Sequence, residues 1–384
     1  MKLSLIPFEI QTDCRKFKQR RYGSLAKIQD IRNKIDLIDD QLLKLINRRG
    51  ELAVKIGQEK SKGNSSKHFH VPHRERAIIE RIRQNSKGPF PDESLESVFR
   101  EIFSATLALE KPLRIGFLGP KTTFSHQAAI KQFGQSSEFI PNSDIESVFR
   151  QVEQGSCDYG VVPVENSIEG VINLTLDCFV DSPLLICGEI KNTISLCLLS
   201  KTKDLKKIET IYSHPQPLGQ CRQWLNRNLS SIEQISASST ASAAEMVVER
   251  KTCAAIAGKF AAKEYNLKIV AENIQDRVEN YTRFLVIGKD KTKKALKNKT
   301  SIMFSIRDET GSLLKVLQLF ARNKINLTKI QSRPLRDRPW EYLFYVDLDG
   351  HAQDQAINKS LISLKKMCLL LRVLGSYPKE GLRK

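Results

Sequence analysis

The sequence predicts three modules in one chain: an all-α region over residues 25–111, an α/β region over 112–289 and a small α+β unit over 300–378. Three observations carry this. Apolar residues in the first region recur every three or four positions, the spacing of one helix face. From Pro112 onward the pattern changes to short apolar runs of strand length alternating with helical stretches, the mark of an α/β domain with mostly parallel strands. After a lysine-rich linker at 290–299 comes the order strand–helix–strand–strand–helix–strand, a ferredoxin-like arrangement. A chain of 384 residues has room for two or three such domains.

In the first region Ile28, Ile31, Ile35, Ile38, Leu42, Leu45, Leu52 and Ile56 form the seam of a helix running from about Leu25 to Ser61. Arg49 occupies the next seam position after Leu45, and Lys60 lies three turns further along nearly the same face. A cation on an apolar seam is costly unless an anion meets it. It fits a pocket for a small acidic ligand, or else a side chain that snorkels out or pairs with Glu51 or Glu75. A second helix starts near Pro72, a favoured first helical position. A third opens at Asp92, read as its N-cap, and stops before Pro112. Thr106 interrupts its stripe as Arg49 interrupts the first. A helix of roughly 37 residues spans about 55 Å, too long for two shorter helices to cover, so a dimer with shared helices is expected.

In the second region LRIGFLG, YGVVPV, PLLICGEI, ISLCLL, TIYSHP, CAAIAG and FLVIG read as strands. Polar clusters follow several of them: Glu165, Asn166 and Ser167 after one, Ser213, His214 and Gln216 after another. Thr282 and Arg283 stand at the start of a third. Strand ends are where α/β proteins build sites, and together these suggest a cleft for a polar, anionic ligand. GFLGPKTT fits neither a Walker loop nor a dinucleotide fingerprint, but its strand–turn–helix start offers N–H groups to a carboxylate. In the third unit Gly311 opens a helix in a similar way.

The bulk numbers exclude several classes. Hydrophobic content of 40% and charged content of 27% are ordinary for a globular protein. The net charge of +19 is not, yet it is spread along the chain, with basic clusters in the lysine-rich linker and in an extension at 1–24 expected to be disordered. With no zinc-finger, helix-turn-helix or RNA-binding signature, no nucleic-acid partner is expected. HFHVPH (His68, His70, His73) has no fourth ligand nearby, so no metal is expected. Eight cysteines without CxxC, with Cys187, Cys197, Cys253 and Cys368 in or beside apolar runs, read as core thiols in a reducing cytosol. MKLSLIPFEI is broken by Pro7 and Glu9 and makes a poor signal peptide. No run approaches the ~18 apolar residues of a membrane span, so a cytoplasmic location is expected.

Five strings stand in order: RNKIDLIDDQLLKLINRRGELA with Lys60, FLGPKTTFSH, VPVENSIEG, SHPQPLGQC and NYTRF. Together they resemble the bifunctional chorismate mutase–prephenate dehydratases of phenylalanine biosynthesis, over about residues 25–378. The resemblance implies an intertwined helical mutase dimer, a two-lobed dehydratase similar to periplasmic binding proteins, and a ferredoxin-like ACT regulatory domain. A six-residue tail at 379–384 follows.

For the mutase, the resemblance implies that Arg32 of the partner subunit, Arg49 and Lys60 hold the carboxylates and ether oxygen of chorismate. Arg74 and Glu75 match the pair opening the second helix, with Glu75 accepting from the substrate hydroxyl. Thr106 stands where a serine or threonine is usual, and Glu110 where glutamine is common. Val71 replaces an aspartate of some members, so any polar contact there comes from backbone. The [3,3] rearrangement to prephenate needs no cofactor, metal or nucleophile, only a held conformer and stabilised charge on the ether oxygen. Glu110 can donate to that oxygen only when protonated, so activity is expected to fall as pH rises.

For the dehydratase, Thr282 matches the essential threonine, as proton donor or positioning group. Arg283 is expected to hold a substrate carboxylate or lock the loop. Asn166, Ser167, Ser213, His214 and Gln216 are expected around prephenate. In the ACT unit the resemblance places L-phenylalanine against Gly311, Ser312, Leu313 and Leu314 (GSLL, where GALV is usual) and Gln331, Ser332, Arg333 and Pro334 (QSRP, where ESRP is usual). A rival reading is an amino-acid-sensing protein with decayed catalytic modules; the intact Arg32, Arg49, Lys60, Glu75 and Thr282 speak against it.

Overall fold

The computed structural model describes residues 10–62, 72–335 and 338–379, in two units divided near Lys67. The first unit is the helix α1 (Ile10–Lys62), 53 residues long. It starts about fifteen residues before the sequence-based expectation, inside the segment read as a tail. That stretch is rich in Lys, Arg and Gln, good helix formers, and carries no proline after Pro7. The seam residues from Ile28 to Ile56 are 44–64% exposed.

The second unit begins with α2 (Pro72–Asn85) and α3 (Asp92–Glu110). Asp92 is the first helical residue, not the N-cap; Pro91 holds that place. Glu96 clips the two helices together, taking Arg83 and Arg100 at once.

The first lobe of the α/β region follows: β1 (Arg114–Leu118), α4 (Phe124–Phe133), β2 (Glu138–Asn142), α5 (Ile145–Glu153), β3 (Tyr159–Asn166), β4 (Gly170–Val171), α6 (Asn173–Asp181) and β5 (Leu185–Thr193). The chain then crosses into a second lobe of β6 (Cys197–Ser200), β7 (Thr210–Ser213), α7 (Pro215–Gln220), α8 (Arg222–Asn228), β8 (Glu233–Ser236), α9 (Thr240–Met246), β9 (Cys253–Ala257), α10 (Lys259–Glu264) and β10 (Lys268–Ala271). It returns as β11 (Tyr281–Gly288), inserted between β3 and β5. The sheet orders are β2-β1-β3-β11-β5 and β10-β6-β9-β7-β8. They are mixed, not mostly parallel as expected: β11 runs antiparallel to both neighbours, and β6 to β9 and β10. The double crossing causes this, because a returning strand enters its first sheet from the opposite end.

The last module is β12 (Asn298–Ser305), α11 (Ser312–Arg322), β13 (Leu327–Leu335), β14 (Arg338–Asp349), α12 (Gln355–Met367) and β15 (Leu370–Pro378), with sheet order β13-β14-β12-β15. The expected strand–helix order is present. One face packs on α11 and α12 around Val316, Phe320, Ile357 and Leu364. The other joins the first lobe: Met303, Leu343, Tyr345, Leu374 and Tyr377 share a core with Val164, Phe179 and Ile186. A Cβ at Gly375 would collide with the backbone of Ile186, so β15 lies directly against β5. Cys187, Cys197 and Cys253 are buried as expected, whereas Cys368 is half-buried at the end of α12.

Candidate active sites

The two lobes meet at a cleft holding about 1160 Å³ of open space. Its floor is the double crossing, where the two passes pair through Ile194 N to Asn280 O (2.8 Å) and Ile274 N to Leu196 O (2.9 Å). Thr282 and Asn166 line one wall, His214 and Gln216 the other, joined by Thr123, Ser239 and Thr240. A pocket rich in hydroxyls, amides and one imidazole suits a polar anion of small-metabolite size.

Thr282 is only 9% exposed and sits directly across from Asn166 in the β11–β3 ladder. Asn166 Nδ2 donates to Thr282 Oγ1 at 2.9 Å and to Asn280 Oδ1 at 3.1 Å. Its Oδ1 accepts from the backbone N–H groups of Ile168 and Glu169. Those bonds fix which end of the amide is which. Since Oγ1 is an acceptor from Asn166, the Thr282 hydroxyl keeps its own proton for a bond into the cleft.

The network continues across the lobes: Asn280 Nδ2 donates to Gln220 Oε1 at 3.0 Å, and Gln220 Nε2 to Glu169 Oε1 at 3.0 Å. Partial burial raises the Glu169 pKa, while Gln220 and His214 pull it back down. His214 caps α7, its Nδ1 accepting from Gln216 N at 3.3 Å. Nε2 is then the ring's donor when the imidazole is neutral.

Ser213 was expected in the cleft and does not line it; nor does Arg283, which was expected either to hold a substrate carboxylate or to lock the loop. Ser213 is fully buried at the end of β7 and gives its hydroxyl to Ile256 O (2.7 Å). Arg283 follows Thr282 on an extended strand, so its side chain emerges on the opposite face. There its Nε contacts Glu189 at 2.9 Å, and its terminal nitrogens reach Asp347 at 2.7 Å and Tyr377 Oη at 3.1 Å. Burial opposes its charge, but Tyr377, Asp347 and Glu189 more than compensate and raise its pKa. Ser167 ties its loop to the crossing, accepting from Tyr281 N and donating to Glu279 O. Thr123 and Ser239 cap α4 and α9 beside the cleft. Sequence reasoning reached the loop containing Thr123 but passed over Ser239 and Thr240, whose only signal is the SASSTAS run before a helix.

Among the mutase candidates, α1 carries Arg32 exposed and Arg49 half-buried. The side chain of Lys60 and all of Val71, His68 and His70 lie outside the described residues. On α2, Arg74 is exposed and Glu75 faces a cavity of about 750 Å³ with Arg76, Arg100 and Lys293. Thr106 and Glu110 are half-buried on α3, where the Thr106 hydroxyl bonds back to Ile102 O. Among the described residues no group of three or more His, Cys, Asp or Glu is placed to hold a metal, and no helix is long and apolar enough to cross a membrane.

In the regulatory unit Gly311 has φ +80°, a left-handed conformation that suits glycine, and precedes Ser312 at the start of α11. Leu313 packs into the core under α11, and Leu314 is exposed. Gln331, Ser332 and Pro334 lie along β13, at the edge of its sheet. Arg333 is turned toward the first lobe, forming a bidentate pair with Asp177 of α6 at 2.6 and 3.1 Å.

Three family models match in succession: chorismate mutase type II over residues 31–111, prephenate dehydratase over 115–292 and the ACT domain over 300–365. The bifunctional chorismate mutase/prephenate dehydratase of Aquifex aeolicus (strain VF5) is 47% identical over 363 residues, covering 94% of this chain and 100% of its own length. The chain belongs to the bifunctional chorismate mutase/prephenate dehydratases. As a member it is an enzyme with an isomerase module and a lyase module on one polypeptide. The crystal structure of a prephenate dehydratase from Arthrobacter aurescens in complex with L-Phe is 31% identical, with a TM-score of 0.65, covering 70% of this chain and 90% of that one. GqqA, described as a novel type of quorum quenching acylases, scores 0.65 at 25% identity, covering 71% of this chain and 100% of its own. Fold likeness alone therefore leaves the chemistry open; the full-length match, mutase module included, places this bifunctional enzyme.

Proposed function

We propose that the chain rearranges chorismate to prephenate on its helical module and converts prephenate to phenylpyruvate in the interlobe cleft, with L-phenylalanine as feedback inhibitor. The observation that carries the second step is the Thr282–Asn166 pair on the cleft wall. Prephenate loses its ring carboxylate as CO₂; the electron pair of that C–C bond enters the ring as the C4–O bond breaks. The departing hydroxide takes a proton and leaves as water, and aromatisation drives the step. Thr282 holds a hydroxyl proton at the leaving group, and Asn166 fixes the hydroxyl's direction. His214 Nε2 and the hydroxyl of Ser239 suit the substrate's anionic end.

For the mutase, the spacing along α1 supports a site shared between two copies. Arg32 and Arg49 are seventeen residues apart, about 25 Å on one straight helix. That is too far for both to grip one chorismate, so Arg32 comes from the partner subunit. Arg49, Lys60, Glu75, Thr106 and Glu110 complete the site, with Arg74 and Val71 at its margin. The exposed seam of α1 supports the intertwined dimer. The two-sheet design with a double crossing fits lobes that close on prephenate as in periplasmic binding proteins. L-Phe in the Arthrobacter aurescens relative supports inhibition by the same amino acid here, and the glycine-opened start of α11 with the edge strand β13 makes Gly311–Leu314 and Gln331–Pro334 the proposed place, with Arg333 acting through Asp177. Its place in phenylalanine biosynthesis fits a cytoplasmic enzyme.

Feeding purified chain with chorismate and following phenylpyruvate, with and without L-phenylalanine, tests the reading. Phenylpyruvate should appear without added metal or cofactor and fall when the amino acid is present. Prephenate accumulating as the end product would refute the second step.

A further inference from the structure

Arg283 is buried among carboxylates on the face of β11 away from the cleft. Three cations (Arg283, Lys299, Lys329) meet three carboxylates (Glu165, Glu189, Asp347) between the first lobe and the regulatory sheet. Glu189 of β5 takes both Arg283 (2.9 Å) and Lys299 of β12 (2.6 Å). Glu165 of β3 takes Lys329 of β13 at 2.9 Å and lies 3.7 Å from Arg283. Tyr377 of β15 contacts Arg283 and Ser301, and Ser301 donates to Asp347 of β14 at 2.5 Å. Every strand of the regulatory sheet thus sends a side chain into this cluster.

The register makes the cluster matter for chemistry. Thr282 pairs across the ladder with Asn166, and the next pair is Arg283 with Glu165. The first pair faces the cleft and the second faces the regulatory sheet. On the β3 side a register shift follows immediately, between Arg283 and Phe284, whereas on the β5 side the ladder runs regularly from Tyr281 to Val286. Behind these two ladders the charge cluster holds the Arg283 side chain.

We propose that Arg283 is a positioning residue: held by Asp347 and Tyr377, it transmits the position of the regulatory sheet to the Thr282–Asn166 pair. The proposal deepens the reading of Thr282 as the group acting on prephenate, and rests on it. A displacement of β14 or β15 moves Arg283, and through one peptide unit moves Thr282 relative to the leaving hydroxyl. Geometry at the reacting atoms then changes while most substrate contacts, which come from the other elements of the cleft, remain.

Asp347→Asn in the full chain tests this, with Tyr377→Phe as a milder variant that keeps the charge balance. Expected for Asp347→Asn is a drop of about tenfold or more in dehydratase kcat, with the prephenate KM within about twofold and mutase turnover unchanged. Tyr377→Phe should give a smaller loss of the same kind. L-phenylalanine should still bind Asp347→Asn, by calorimetry, while altering its dehydratase rate far less than in the wild type. Leu348→Ala, in the regulatory core away from the cluster, is the control for lost stability alone. Wild-type kcat in both cluster variants, or an equal kcat loss in Leu348→Ala, overturns the proposal. Full activity of Thr282→Ala would instead remove the reading of Thr282 on which it rests.

Discussion

The two lobes around the cleft are built differently. The first shares one continuous core with the regulatory sheet, through Met303, Leu343, Tyr345, Leu374 and Tyr377. The second has cores of its own, one largely of alanines (Ala237, Ala243, Ala244, Ala255, Ala257, Ala261) and one around Leu196, Leu198, Ile256 and Leu225. Among the described residues, none of the regulatory sheet belongs to either. Thr282 and Asn166 stand on the lobe fused to the regulator, and His214 and Gln216 on the other. If Arg283 positions Thr282 as proposed, the difference gives the regulatory sheet a direct route to the Thr282 side of the cleft, whereas the second lobe is tied in through the double crossing and contacts across the cleft.

Four changes would break or sharpen this contrast. The largest effect is expected from Thr282→Ala, which should lower phenylpyruvate formation by about 10²–10⁴-fold and spare the mutase. Loss of both activities would show that Thr282 supports the fold instead. Next come truncations in the two kinds of core, each expected to cost about 2–5 kcal/mol in denaturant unfolding. Leu374→Ala should weaken the response to L-phenylalanine as well as stability. Leu199→Ala should leave inhibition intact in the protein that remains folded. Equal loss of inhibition in both would erase the distinction between the lobes.

The smallest effect concerns His126, which stacks on Phe117 of the first lobe at 4.6 Å and meets Phe260 of the second edge-on at 5.4 Å. Burial, helped by Lys121, lowers its pKa to about 4. As pH falls from about 6.5 toward 4, the unfolded chain gains a proton that native His126 refuses. Stability is therefore full above that window and declines through it, by at most about 3 kcal/mol. Urea midpoints measured from pH 7 down to 4.5 should fall less steeply in His126→Gln; parallel slopes would exclude His126 as the source.

Much of the architecture was legible because period and punctuation carry it. Pro72 marks the start of α2, Pro112 ends the helical region, and the regulatory strand–helix order follows from alternating apolar runs. The early start of α1 escaped because a polar, basic stretch has no apolar stripe to announce it, although its residues form helix readily. At the cleft, Thr282, Asn166, His214 and Gln216 were found from polar residues at strand ends. The same logic misplaced Ser213. Of the two roles expected of Arg283, only the one that locks structure is compatible with where its side chain goes. Strand alternation sends neighbours to opposite faces, so adjacency to Thr282 argues against Arg283 sharing its cleft. Where Arg283 goes was not readable, since Glu189, Asp347 and Tyr377 are distant in sequence and only the tertiary fold brings them together.

The contact at Gly375 bears on how such a chain can be taken apart. Because β15 lies on β5 with no room for a side chain between them, the regulatory unit is not a detachable cassette. Cutting the polypeptide in the lysine-rich linker would strip an apolar face from each fragment. A gene encoding either part alone would need compensating changes along that face before its product stayed soluble. Recombination can exchange the module for another ACT unit only if the incoming strand also carries glycine at this position.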